Sequence, residues 1–331
     1  MIRLRIGYLI TGIVTGCILL FSFIGTIPDG KLHIVFCDVG QGDGIYIRFP
    51  DGRDMVVDGG PGNKIINCLS RHMPFWDRAI DMALLTHPQK DHMDGLTAVL
   101  SRYTVSYLLR SDVENTTEGF AQLKKNIIDR GVTEKLVTTG EEVSVGSVHL
   151  SILWPTKEQL VRMNPAKLSF DVNKSVLGTS VKAPPSTSPE VNVNDASVVF
   201  SLTYGTFDAL FSGDADSHVQ PGLLTSLKHG FARDGILDLL KVPHHGSKTG
   251  MTDVFLQKIS PEIRHTAGSF SGLDIQRPVA IISVGKNSYG HPAPEVLEKL
   301  AQAGFQALRT DTGGDIEVTS DGTVWAYNTR K

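Results

Sequence analysis

Two histidines and an aspartate fall within six residues, at His87, Asp91 and His92, directly after the apolar run 82–85. Imidazole and carboxylate are donors that zinc, manganese and iron accept. A buried strand that stops abruptly can aim several such side chains at one point. The same event recurs along the chain: a hydrophobic run ends and a chemically capable residue follows, at Asp38, Asp58, His87, Asp214, His245 and His291. Strand ends along one sheet edge can converge on a single cleft. A structural protein has little reason to place so many titratable groups there. The chemistry on offer is metal-assisted hydrolysis.

The elements that must position these residues are short. Strands are expected over 33–37, 45–49, 55–57, 82–85, 105–109, 148–153, 196–203, 207–211, 237–242 and 279–283, with three more at 306–308, 315–318 and 323–326. Helices are expected over 64–71, from Gly95 onward, over 118–130 with Ile127 and Ile128 on its apolar face, over 252–259 and over 294–303. Residues 163–194 hold no steady period and are rich in Ser, Pro, Asn and Lys, which reads as a flexible insertion, either a spacer or a substrate lid.

The chain has 331 residues, 41% of them hydrophobic, and a net charge of −3, so it has no general attraction for nucleic acid. Cys17, Cys37 and Cys68 are too few and too scattered to imply a disulfide framework. Residues 6–27 form 22 positions without a charge, preceded by Arg3 and Arg5. At 1.5 Å per residue such a run crosses a hydrocarbon core of about 30 Å. The positive flank then puts the N-terminus inside and the rest outside. The expected organisation is an anchor and linker over 1–30 and one domain over 31–331, at the cell membrane and facing outward. A cleaved signal peptide is the rival reading of the same run.

The motifs Asp38-Val39-Gly40-Gln41-Gly42-Asp43, Val57-Asp58-Gly59-Gly60, Thr86-His87-Pro88-Gln89-Lys90-Asp91-His92, Ser212-Gly213-Asp214, Val242-Pro243-His244-His245-Gly246-Ser247 and Tyr289-Gly290-His291-Pro292 resemble the metallo-β-lactamase superfamily. The likeness is strongest to the domain of ComEC-type DNA-uptake proteins. It implies an α/β (α+β) fold, a four-layer αββα sandwich, here preceded by one transmembrane helix. It also implies that Asp91, His92, Asp214 and His245 hold one metal, with His87 as a fifth ligand or a water-positioning group. The family's second histidine is replaced by Gln89, and its third falls near Asn192, Asn194 and Asp195. A carboxamide is a poor ligand for zinc, so one divalent ion is expected, zinc or manganese.

On this reading Asp38 and Asp58 orient ligand histidines from behind, or merely shape turns, and His244 either supports or joins the ligands. Asp91 and His291 are the catalytic candidates, with His291 protonating the leaving oxygen. Lys248, Lys286 and Asn287 are placed to bind phosphate. The implied function is an outward-facing metal-dependent phosphodiesterase or nuclease acting on DNA or another phosphodiester. A hydrolase of another ester or lactone, and a catalytically impaired binding module, remain open because of Gln89. No protein partner is inferable. His33, His72, His149, His218, His229 and His265 fall outside the motifs and read as structural or surface groups.

Overall fold

Strand alternation sets the layers. In β1, Leu32, Ile34 and Phe36 enter one apolar core while Val35 and the following Cys37 enter another. The computed structural model describes residues 6–24, 28–163, 192–227, 236–260 and 277–331. The expected insertion therefore lies almost wholly outside the described residues, as do His229 and His265.

In chain order the elements are α1 (Ile6–Ile24), β1 (Leu32–Phe36), β2 (Gly44–Arg48), β3 (Asp54–Gly59), α2 (Lys64–His72), β4 (Ala79–Leu85), α3 (Lys90–Arg102), β5 (Thr104–Arg110), α4 (Glu118–Asp129), β6 (Thr133–Leu136), β7 (Glu142–Val145), β8 (Val148–Trp154) and α5 (Lys157–Met163). There follow β9 (Val199–Tyr204), β10 (Phe207–Phe211), α6 (Gln220–Ser226), β11 (Leu239–Lys241), α7 (Asp253–Ile259), β12 (Val279–Ile282), α8 (Pro294–Gln302), β13 (Gln306–Arg309), α9 (Thr310–Gly313), β14 (Asp315–Ser320) and β15 (Trp325–Arg330). One sheet runs β15-β14-β1-β2-β3-β4-β5-β6 and the other β13-β12-β11-β10-β9-β8-β7.

Between the sheets lies a core that includes Ile34, Phe36, Phe200 and Phe211. Phe211 stacks on Phe200 with centroids 4.6 Å apart. Each fully buried side chain of this size contributes about 1.5–3 kcal/mol. A second core joins the first sheet to α2, α3 and α4 through Ile65, Leu96 and Phe120. A third joins the second sheet to α6, α7 and α8 through Leu223, Phe255 and Leu300. The result is a mixed α/β sandwich of four layers, helix–sheet–sheet–helix.

The site sits where parallel strands end together. β3, β4 and β5 are parallel neighbours, and so are β10, β11 and β12. Phe211, Lys241 and Ile281 lie in register, so the loops after those three strands leave the sheet side by side.

Several expectations need correction. The α3 helix begins at Lys90, not at Gly95, which puts Asp91 and His92 on its first turn. Gly95 marks close packing instead: a Cβ there would fall 1.9 Å from Gly59 O, and its N–H donates to Gly60 O at 2.9 Å. Ile128 is exposed, while Phe120, Leu123 and Ile127 make the buried stripe of α4. The strands β6 and β7 escape notice because they are mostly polar, as edge strands tend to be. Cys37 and Cys68 form a disulfide between the end of β1 and α2, with Cα atoms 5.8 Å apart. Among the described residues no helix is long and apolar enough to cross a membrane, so the expected transmembrane helix rests on sequence alone.

Candidate metal centre

Four side chains from three separate segments meet at the strand ends. Ligand atoms of Asp91, His92, Asp214 and His245 all lie within 4.8 Å of one another. His92 Nε2 is 3.3 Å and His245 Nε2 is 3.4 Å from Asp214 Oδ2. Asp91 Oδ2 is 3.6 Å from His245 Nε2 and 4.0 Å from His92 Nε2. His87 adjoins them, its ring centroid 4.1 Å from that of His92.

Each imidazole is turned by a partner on its far nitrogen. His92 Nδ1–H donates to Asp58 Oδ2 at 2.7 Å, and Asp58 is itself held by the Thr86 N–H at 2.8 Å and the Thr86 hydroxyl at 2.7 Å. His245 Nδ1–H donates to Ser283 O at 2.8 Å. His87 Nδ1 faces Thr86 Oγ1 at 3.1 Å and Ser197 Oγ at 3.3 Å. With the proton on Nδ1, each Nε2 presents a lone pair. The Nε2 atoms of His87, His92 and His245, and Asp214 Oδ1, are buried without a hydrogen-bond partner. Orphaned acceptors are costly inside a protein unless a cation or donor meets them. The donor set fits a divalent cation, and imidazoles oriented from behind are typical of metal ligands. Asp58, His244 and His245 have positive φ of 55°, 49° and 52°. Backbone in this region is strained for non-glycine residues and collects at functional sites.

Electrostatics agree. Asp43, Asp58 and Asp214 are buried and Asp91 is half-buried, with a buried lysine, Lys241, among them. Burial disfavours a charged His92, yet Asp214 and Asp58 outweigh it and raise its pKa well above the usual value. Burial is likewise outweighed at His245, by Asp214 and Asp43. Burial opposes ionisation of Asp214, but His245 and His92 hold its carboxyl well below the usual range. Asp91 is lowered in the same way, burial being overcome by the neighbouring His245 and His92. His87 behaves oppositely: burial, and then His92, push it down to about 3.

The remaining predicted residues divide. His244 stands beside the cluster, with Nδ1 bonded to Asp216 at 3.0 Å and Nε2 3.9 Å from Asp214 Oδ2. The ring of His291 is 5.7 Å from that of His244, and its Nδ1 is buried without a partner. Burial, then His244 and His245, lower its pKa. Lys248 is exposed and pairs with Glu295 at 3.0 Å, and Lys286 is exposed. Two expectations do not match the geometry. Asp38 is exposed and accepts from Gly40 N–H, which makes it a turn residue. Asn287 spends both amide hydrogens and its oxygen on Gly285, Tyr289 and His291, so it builds its loop and has nothing left for phosphate.

Sequence reasoning missed Asp43 and Lys241. Asp43 faces His245 Nδ1 at 3.5 Å and His92 Nδ1 at 3.9 Å, and pairs with Lys241 Nζ at 2.5 Å. Burial opposes its ionisation, but Lys241 and then His245 keep its pKa below the carboxylate range. Its signal was present: it is the second carboxylate of the glycine-rich 38–44 turn. Lys241 gave a weaker one, as a lone cation ending an apolar strand.

No family model matches the chain. Among curated proteins, ComE operon protein 3 of Bacillus subtilis (strain 168) is 23% identical over 344 residues, covering 97% of this chain and 37% of that protein. Competence protein ComA of Neisseria gonorrhoeae is 26% identical over 133 residues, 40% of this chain and 16% of that protein. The chain is thus similar over nearly its whole length to part of a ComE-operon protein, in line with the resemblance of its motifs to a ComEC-type domain. It spans well under half the length of these relatives. Among solved structures, the metallo-β-lactamase fold protein YhfI from Bacillus subtilis matches with a TM-score of 0.46 at 13% identity, covering 87% of this chain and 99% of that one, too slight a likeness to carry an argument.

Proposed function

We propose that this chain is a metal-dependent phosphodiesterase acting on DNA, anchored in the cell membrane and facing outward. The observation that carries the reading is the convergence of Asp91, His92, Asp214 and His245, with the buried Nε2 atoms of His87, His92 and His245 making no hydrogen bond. Those four would hold one divalent ion, zinc or manganese. When bound, the ion supplies Lewis acidity to a phosphoryl oxygen and makes water nucleophilic at neutral pH. The side chain of Asp91, a third exposed, can accept a proton from the attacking water. His291, with its pKa lowered, is neutral at pH 7 and offers an N–H hydrogen bond to the leaving oxygen rather than a proton. Lys248 and Lys286, both exposed, supply charge for flanking phosphates. The competence-protein relatives support DNA as the substrate.

Two features support the outward placement. The uncharged run 6–27 is long enough for a bilayer core, and Tyr8, Ile10, Ile13 and Val14 of α1 are exposed. The Cys37–Cys68 disulfide suits an oxidising compartment.

Metal content of the purified chain, with cleavage of single-stranded DNA and a chromogenic phosphodiester in Mn²⁺ and Zn²⁺, tests the proposal. One ion per chain with DNA cleavage is expected. Gln89 favours a second reading, a binding module with little turnover; bound metal with neither substrate cleaved would select it.

A further inference from the structure

We propose that Tyr289 is a nucleobase-stacking platform at the mouth of the metal centre, gripping a base of single-stranded nucleic acid beside the reacting phosphodiester; this rests on the phosphodiesterase reading above. The tyrosine stands on the loop between β12 and α8, and that loop is framed. The Asn287 carboxamide donates to Gly285 O at 2.9 Å and His291 O at 2.8 Å, and accepts from the N–H groups of Tyr289 at 3.1 Å and His291 at 3.0 Å. At one end, Gly285 N–H donates to Gln41 Oε1 at 3.3 Å; at the other, Ala293 N–H donates to Gly246 O at 2.9 Å. A Cβ on Gly285 would lie 2.4 Å from the Gly40 backbone, so the loop rests directly on the 38–43 turn.

On this frame Tyr289 is 74% exposed. Its ring centroid lies 5.7 Å from that of His291 at a 33° tilt, and His291 lies 5.7 Å from His244. The rings therefore lead from solvent to a histidine whose Nε2 is 3.9 Å from Asp214. A tyrosine on fixed backbone has only two side-chain torsions to lose when another ring covers it. Stacking also answers a shortage of charge. The net charge of −3 gives the chain no general pull on a polyanion, so affinity must come from local contacts. Every base has a π-face, so such a contact is tolerant of sequence.

The test is fluorescence anisotropy of the full chain in EDTA, where cleavage does not consume the probe. Labelled oligothymidylate is compared with an abasic oligomer of equal length. The wild type is expected to prefer the base-bearing probe by roughly 5- to 150-fold. Y289A should abolish that preference by bringing oligothymidylate down to the abasic affinity, and Y289W should keep it. Wild type binding both probes equally, or Y289A keeping the preference, overturns the stacking proposal while leaving the phosphodiesterase reading in place. Wild type binding neither probe also overturns the stacking proposal, and the phosphodiesterase reading then stands or falls on the metal-loaded cleavage assay above.

Discussion

The two sides of the cluster are built from similar residues and behave differently. On one side, His92 and His245 face two carboxylates, Asp91 and Asp214, and hold protons more tightly than free histidine. On the other, His87 is buried, neutral and without a ligand-type neighbour from Gln89, the residue that caps α3. The first side is a complete set of donors for a cation. The second is a single prepared lone pair. Carboxylates make the difference: they attract positive charge of either kind, and a neutral ring alone attracts little.

Removing a ligand from the complete side should have the largest effect. His245→Ala or Asp214→Ala is expected to reduce metal content from one ion per chain to none and cleavage to background, read by elemental analysis and the nuclease assay; retained metal would break the distinction between the sides. Lys241→Met should cost about 3–5 kcal/mol of stability by stranding Asp43 behind His245, as urea denaturation would measure. Asp58→Asn should leave the ligands in place and weaken metal affinity about 10- to 100-fold in a chelator competition.

The pH dependence sharpens the contrast further. The metal-free pKa values of His92 and His245 are raised, so an incoming ion must displace their protons. Apparent affinity should climb as pH rises through neutrality and fall as pH drops. His87, at about 3, should contribute nothing to that slope. Titrating metal binding between pH 6 and 9 in H87A and wild type should give parallel curves. The smallest effect is expected from Gln89→His, which should raise metal content above one because His87 Nε2 and Asp214 Oδ1 both lie buried without partners. Unchanged content would show that the His87 side needs more than one further donor.

Much of this was legible beforehand. Alternation and apolar runs placed most strands within a few residues, because a half-buried strand must alternate and a fully buried one must be apolar. The ligand motifs were visible because each follows such a run. Edge strands β6 and β7 were not, since little of their surface is buried.

The sequence by itself determined which residues could serve a cation: the histidines and aspartates that close buried strands. Tertiary structure decided which of them do. Asp38 and Asp43 stand five residues apart in one glycine-rich turn, and only the fold of that turn sends Asp43 inward and leaves Asp38 in water. Lys241 ends an apolar strand, and only the approach of the 38–44 turn makes its burial affordable through an ion pair. Cys37 and Cys68 are 31 residues apart, and only the packing of α2 on the first sheet brings them together. In each case the deciding quantity is a distance between segments remote in the chain, which local spacing does not encode.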